Sequence, residues 1–354
     1  MRIMKISKIP ALFLILILSS CSLLLGPEPD TSPEGILKSL WDDFNNIHAY
    51  LDIRMSQNTD YNDWHDVYYN QRTGYAHKIR YNMSERSLFN VCASMLRILN
   101  DPHVGLYMPD AFASSYTDDN EDIFSLETVK LMLKNNGTGK YKNFYYGIFD
   151  LPELYSNIGY IHIIGFTEDN VDPMKQTWGL VIDNIINDIS GTDALILDIR
   201  NNRGGHVYAM EYIAARFASS SKEYLLASNK NGSGPKDFQS PRIHIIKPAN
   251  TRYTKPIILL TNNNTVSVSE RFTLALRTQE HIIHAGTVTR GALSVRIERP
   301  MVNGWFYSIS PERVTDMNGK IYEGIGVVPD VHIEYGSNDM QIREAIKMAI
   351  LLSN

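Results

Sequence analysis

From Pro256 to Arg277 the chain reads PIILLTNNNTVSVSERFTLALR. Ile257–Thr261 is a continuous apolar run, the pattern of a strand buried on both faces. Three asparagines and Thr265-Val266 interrupt it, and from Val268 to Arg277 the apolar residues recur at helical spacing. A buried strand entering a helix through a short polar turn is the repeating unit of an α/β domain with a mostly parallel sheet. The same grammar precedes it. ALILDI (Ala194–Ile199) is a second buried strand, and NNRGG leads from it into a helix over Val207–Ala218. IGYIHIIGF (Ile158–Phe166) reads as a further strand, followed by an amphipathic helix over Asp172–Ile189. Short strands are expected near 281–285, 292–299 and 303–309, and a last helix near 338–352.

Toward the N-terminus the pattern is helical. Ile36, Leu37, Leu40, Trp41, Phe44, Ile47, Tyr50 and Leu51 share one face. A second amphipathic stretch runs from Ser84 to Leu99 and stops at Asn100-Asp101-Pro102, because proline disfavours helix at the residue before it. The expected organisation is α+β: a small helical domain over 34–115, with His103 just beyond its last long helix, then an α/β domain with extra β-strands over 116–354.

The first residues read as a targeting segment. Arg2, Lys5 and Lys8 precede an apolar run, Ala11–Leu18, too short to span a bilayer as a helix. It ends in Leu18-Ser19-Ser20-Cys21, which resembles the lipobox of bacterial lipoproteins. That resemblance implies a signal peptide over 1–20, a diacylglycerol thioether on Cys21 and a lipid-anchored protein of the cell envelope. Ser22 in place of Asp favours the outer membrane or cell surface over the inner membrane. Residues 21–33, with GPEPDTSP at Gly26–Pro33, read as an extended tether.

Loss of the three basic residues of the leader would leave 31 basic against 39 acidic side chains, a charge of −8. Such a body argues against nucleic acid and against a polybasic membrane patch. Of the two cysteines, acylated Cys21 would leave Cys92 unpaired, on an apolar helical face where a buried structural thiol is expected.

Four segments carry candidate chemistry. Ser267 sits at the strand-to-helix turn, where free helix N–H groups favour developing negative charge; Ser267-x-x-Glu270 also fits a capping box, which needs no chemistry. Gly204-Gly205 allows close backbone approach to a ligand, as in an oxyanion hole, or simply makes a tight turn. Asp198 and Arg200 beside it read as a structural ion pair. His103, in NDPHVGLY, is a candidate general base. Glu323, in YEGIGVVPDV, is a candidate to orient that base.

In order and spacing these segments resemble the tail-specific, or C-terminal processing, serine peptidase superfamily. LILDIRNNRGG is similar to its strand-to-Gly turn and TVSVSERFTLALR to its nucleophile turn, with Ser267 at the nucleophile position. GTVTRGALS (Gly286–Ser294), YEGIGVVPDV and IGYIHIIGF are similar to its other signatures. The resemblance covers about residues 88–333 and implies a crotonase/ClpP-like α/β peptidase domain. In the tail-specific branch a downstream lysine is the base, but the corresponding position here is Ala292, and no lysine lies between Lys255 and Lys320. The tricorn-like branch takes its base from a His after N-terminal helices. That branch implies Ser267, His103 and Glu323 as the catalytic set, with an oxyanion hole from the backbone N–H groups of Val268 and of Gly204 or Gly205. His206 is a rival base. Residues 116–157 are too few for the PDZ domain that many relatives insert.

The resemblance implies hydrolysis of peptides or unfolded protein segments without cofactor or metal. His281-Ile-Ile-His284 reads as strand and not as a zinc motif, and no P-loop or dinucleotide fingerprint occurs. Two other readings compete: a catalytically silent ligand- or peptide-binding lipoprotein on the same fold, and a crotonase-type thioester enzyme, which export disfavours.

Overall fold

The computed structural model describes residues 28–117, 124–151, 156–167, 177–336 and 339–353. The expected signal peptide, Cys21 and residues 21–27 of the tether lie outside the described residues, as does the start of the helix expected at Asp172. Among the described residues no helix is long and apolar enough to cross a membrane.

Helices α1 (Pro33–Ile47), α2 (Leu51–Ser56), α3 (Trp64–Tyr69) and α4 (Glu85–Arg97) build the N-terminal part. Caps explain two of the starts. Ser32 Oγ accepts from Gly35 N at 3.1 Å with Pro33 at the first helical position, and Ser84 Oγ accepts from Ser87 N at 3.2 Å. Cys92 is fully buried in α4, and burial pushes its thiol up to about 12. The hairpin β1 (Gly105–Met108) and β2 (Ala111–Ser114) follows, then α5 (Leu126–Lys130).

The remaining order is β3 (Thr138–Tyr141), β4 (Phe144–Ile148), β5 (Ile158–Ile163), α6 (Thr177–Asp188), β6 (Ala194–Asp198), α7 (Val207–Ala214), β7 (Lys222–Asn229), β8 (Arg242–Ile246), β9 (Ile257–Thr261), α8 (Val268–Arg277), β10 (Ile282–Gly286), β11 (Ile297–Pro300), β12 (Phe306–Ile309), β13 (Glu312–Thr315), β14 (Val331–His332) and α9 (Met340–Ser353). The main sheet has seven strands in the order β14-β10-β9-β6-β5-β4-β3. Its ladders are parallel from β14 to β5, and β4 and β3 extend it antiparallel. Helices α6, α7 and α8 cover one face and α5 and α9 the other. Central β6 and β9 are therefore buried along their whole length, which is why both are unbroken apolar runs. The α+β architecture expected from the sequence is the one observed.

Two smaller sheets complete the fold. β13, β7 and β8 form one, and the other has the order β11-β12-β1-β2, all antiparallel. The second joins distant parts of the chain, because the core of α1–α4 is closed by Trp305, Tyr307 and Ile309 from the C-terminal half. Trp305 stands edge-on to Phe89 with centroids 5.4 Å apart, and its Nε1 donates to Glu85 Oε1 at 2.9 Å.

Candidate active site

β6 and β9 pair in register from Leu195↔Ile257 to Asp198↔Leu260, so their C-terminal ends lie side by side. The Gly turn after β6 and the Ser turn after β9 emerge next to each other, at the end of the strands where α/β sheets bind ligands. The asparagines tie the two turns together. Asn201 N donates to Asn262 Oδ1 at 2.9 Å, Asn262 Nδ2 donates back to Asn201 Oδ1 at 2.7 Å, and Thr265 Oγ1 donates to Ile199 O at 2.9 Å. Asn202 Oδ1 accepts from Gly204 N at 2.9 Å and from Ser269 Oγ at 2.5 Å.

Ser267 is the partly buried residue before α8, with φ 67° and ψ −127°. Ordinary caps in this molecule look different: Ser32 and Ser84 are extended, with φ −62° and −69°. A capping role does not call for positive φ, which costs a non-glycine residue roughly 1–3 kcal/mol and persists where the surroundings over-determine it. The surroundings do so here. Ser267 N donates to Glu270 Oε2 at 3.0 Å, and Glu270 also accepts from Thr289 Oγ1 at 2.6 Å, Gly291 N at 2.6 Å and Ala292 N at 2.8 Å. Burial pushes the Glu270 carboxyl upward against these donors.

Gly204 packs directly on the serine. A Cβ there would lie 2.8 Å from Ser267 Cβ and 3.1 Å from Val268 N, at φ +93°. Of the three N–H groups expected to form an oxyanion hole, that of Gly204 is taken by Asn202. Those of Gly205 and Val268 have no hydrogen-bond partner among the described residues. His206 is exposed beyond the turn, stacked against Tyr208 with centroids 5.4 Å apart.

His103 is buried at the turn between α4 and β1, and its Nδ1 has no partner among the described residues. Burial holds the imidazole down to about 4; Asp101 opposes that shift, while Arg271, Arg296 and Arg54 reinforce it. Arg271 lies one turn into α8 from Ser267, so the charge of the nucleophile helix reaches the imidazole. Glu323 is placed differently from the expectation. Its Oε1 accepts from Arg54 Nη2 at 2.8 Å and its Oε2 from Leu293 N at 2.8 Å, and among the described residues it makes no hydrogen bond to His103. Burial and the nearby Asp101 charge raise its carboxyl to about 8. The physical reason is that a buried guanidinium from α2 claims the carboxylate more strongly than a neutral imidazole would.

Asp198 and Arg200 form the expected structural pair at 2.6 Å, buried and extended by Asp339 and Gln341. His284 lies on β10, bonded to Thr261 Oγ1 at 2.8 Å and Arg277 Nη1 at 3.0 Å. Sequence reasoning passed over Asp101, Arg54 and Asn202. For Asp101 a signal existed: a carboxylate able to accept from the backbone N–H two residues on is an Asx-turn pattern. Arg54 carries no local signal, since its partners are distant in the chain.

Comparison with known proteins shows the family and the fold. Residues 157–333, half of the chain, match the family model Peptidase family S41. The carboxy-terminal processing protease CtpB of Bacillus subtilis is 22% identical over 196 residues, covering 54% of this chain and 38% of the relative. CtpA of the same organism is 25% identical over 180 residues, covering 51% and 35%. The chain thus spans little more than a third of the length of these curated relatives. Among solved structures, a candidate peptidase of Parabacteroides merdae superposes with a TM-score of 0.76 at 23% identity, over 92% of this chain and 98% of its own. Mature CPAF gives 0.63 at 14% identity, over 91% of this chain and 96% of that one. These likenesses show a shared fold, and the family model, matched from β5 through β14 and so across both turns of the site, shows that the chain belongs to peptidase family S41.

Proposed function

We propose that the chain is a serine peptidase acting through Ser267, with His103 as its base. The observation that carries the reading is the backbone of Ser267: a non-glycine residue at φ 67°, held there by Glu270 and packed against Gly204, with the N–H groups of Gly205 and Val268 without partners among the described residues. In this reading Ser267 Oγ attacks the scissile carbonyl and its proton passes to His103. The N–H groups of Val268 and Gly205 hold the oxyanion. His103 then protonates the leaving amine, and water, deprotonated by the same imidazole, hydrolyses the acyl-enzyme and restores the serine. Substrates are peptides or unfolded segments bound extended. The Leu18–Cys21 motif supports a lipid-anchored, extracytoplasmic protein, so Cys21→Ala should move it from the membrane to the soluble fraction.

The competing silent-binder reading draws on one feature, that His103 Nδ1 has no hydrogen-bond partner among the described residues. Fluorophosphonate labelling separates the two. The purified body should label at Ser267. Ser267→Ala should lose the label, and His103→Ala should slow it by about 10²–10⁴-fold. A folded wild type that takes no probe would favour the binder, and labelling that survives His103→Ala would move the base to His206.

A further inference from the structure

We propose that Asp101, held from behind by His48 and Ser310, is the carboxylate that positions His103 and stabilises its imidazolium, in the place expected of Glu323. The inference rests on the reading of Ser267 and His103 as nucleophile and base.

The turn Asn100–His103 is anchored on every side. Asp101 is completely buried, and its Oδ1 accepts from His103 N at 2.8 Å, folding the carboxylate back onto the backbone of the base. Its Oδ2 is bonded to His48 Nε2 at 3.0 Å and accepts from Ser310 Oγ at 2.8 Å. Asp101 N donates to Ser115 Oγ at 3.0 Å, and Arg54 Nη1 donates to Asn100 O at 3.1 Å. These groups come from the end of α1, from α2, from the residue after β2 and from the residue after β12. A carboxylate so held has little freedom to leave its neighbour.

Charge distribution selects the same residue. The imidazole is faced by Arg54 from α2, Arg271 from α8 and Arg296 from the segment before β11. All three oppose a positive imidazole, and Asp101 is the one acidic side chain among the charges that act on it most strongly. The hydrogen bond from His48 and the charge of Arg54 in turn hold Asp101 ionised, well below the usual carboxylate range. Glu323 is pushed the other way by burial and by Asp101, and its two oxygens are already taken by Arg54 Nη2 and Leu293 N. Asp101, bonded to the backbone of the base, is therefore the carboxylate left to serve as counter-charge. In a serine enzyme the imidazolium formed during attack needs such a charge, and the residue supplying it acts through the histidine without touching substrate.

The test combines an NMR titration of the His103 ring with fluorophosphonate labelling rates, in wild type, Asp101→Asn and Glu323→Gln. Asp101→Asn keeps an oxygen for His103 N and removes the charge. It should lower the His103 titration midpoint by about one pH unit or more, and slow labelling on the order of 10²-fold with the fold intact. Glu323→Gln should leave that midpoint in place. A probe-reactive wild type whose His103 midpoint is unmoved by Asp101→Asn overturns this proposal alone, and a midpoint moved by Glu323→Gln instead returns the role to Glu323. A folded wild type that takes no probe overturns the peptidase reading and, with it, the catalytic role given to Asp101. If Asp101→Asn does not fold, Ser310→Ala carries the test: removing one donor from Oδ2 should slow labelling several-fold, and an unchanged rate overturns the proposal.

Discussion

Ser267 and Gly204 form a contact that tolerates almost no change. The glycine has φ +93° and meets the serine where its own side chain would be. Gly204→Ala adds backbone strain of roughly 1–3 kcal/mol and forces the serine or Val268 to shift. The expected outcome is a lowered urea midpoint together with a larger loss of fluorophosphonate labelling than that destabilisation explains. Equal losses in folded fraction and labelling would mean that the glycine serves the fold alone. His103 and Asp101 make the complementary pair at this scale. Burial pushes the imidazole down, while His48 and Arg54, brought in by other parts of the chain, hold the carboxylate ionised.

At the scale of elements, α8 is fixed at its start by one carboxylate. Glu270 receives Ser267 N, Gly291 N, Ala292 N and Thr289 Oγ1, joining the nucleophile turn to the segment that follows β10. Glu270→Gln turns an NH₂ group toward backbone donors and leaves at least one buried N–H without an acceptor, at a cost of roughly 3 kcal/mol. We expect chemical denaturation to show that loss and labelling at Ser267 to fall further, because the strained φ is no longer enforced. Wild-type stability in Glu270→Gln would show that the four bonds are not limiting. The Ser-x-x-Glu pattern was legible as a capping box. That its glutamate also collects Thr289, Gly291 and Ala292 was not, since those partners lie on another loop.

Over the whole molecule, the helices carrying the His103 turn are fastened to the C-terminal half through β1, β12 and Trp305. Trp305→Ala removes a side chain that is 1% exposed, which should cost about 3–5 kcal/mol and loosen the turn that holds His103. Denaturant unfolding of that variant, followed with probes in both halves, should show the N-terminal part melting first; coincident melting at the wild-type midpoint would deny the seam its role. Acid has a related effect. His103 is depressed from 6.5 to about 4, so the folded state binds fewer protons than the unfolded chain between those values. Its contribution is fully present above about pH 6.5 and is lost as pH falls toward 4, a matter of about 3 kcal/mol. His284, held near 3 by burial and Arg277, adds a similar slope. His103→Gln should therefore lose less stability between pH 7 and pH 4.5 than wild type, as read from urea midpoints, and parallel losses would refute the assignment.

The central sheet was legible because local pattern and burial coincide there: a parallel strand covered on both faces must be apolar throughout, as Ala194–Asp198 and Ile257–Thr261 are. The helix starts at Ser32 and Ser84 were legible for the same kind of reason, since caps act over three residues. Ser267 and the Gly turn could be singled out because each lies at a strand-to-helix turn whose chemistry is local. The pairing of β1 with β12, by contrast, was decided by tertiary structure. So were the pairing of Glu323 with Arg54 and the bond from His103 N to Asp101. Arg54 reaches Glu323 across 269 positions of chain and Ser310 reaches Asp101 across 209. Hydrogen bonds and charges act over a few ångströms in space, and separation along the chain carries no information about which groups the fold will bring that close.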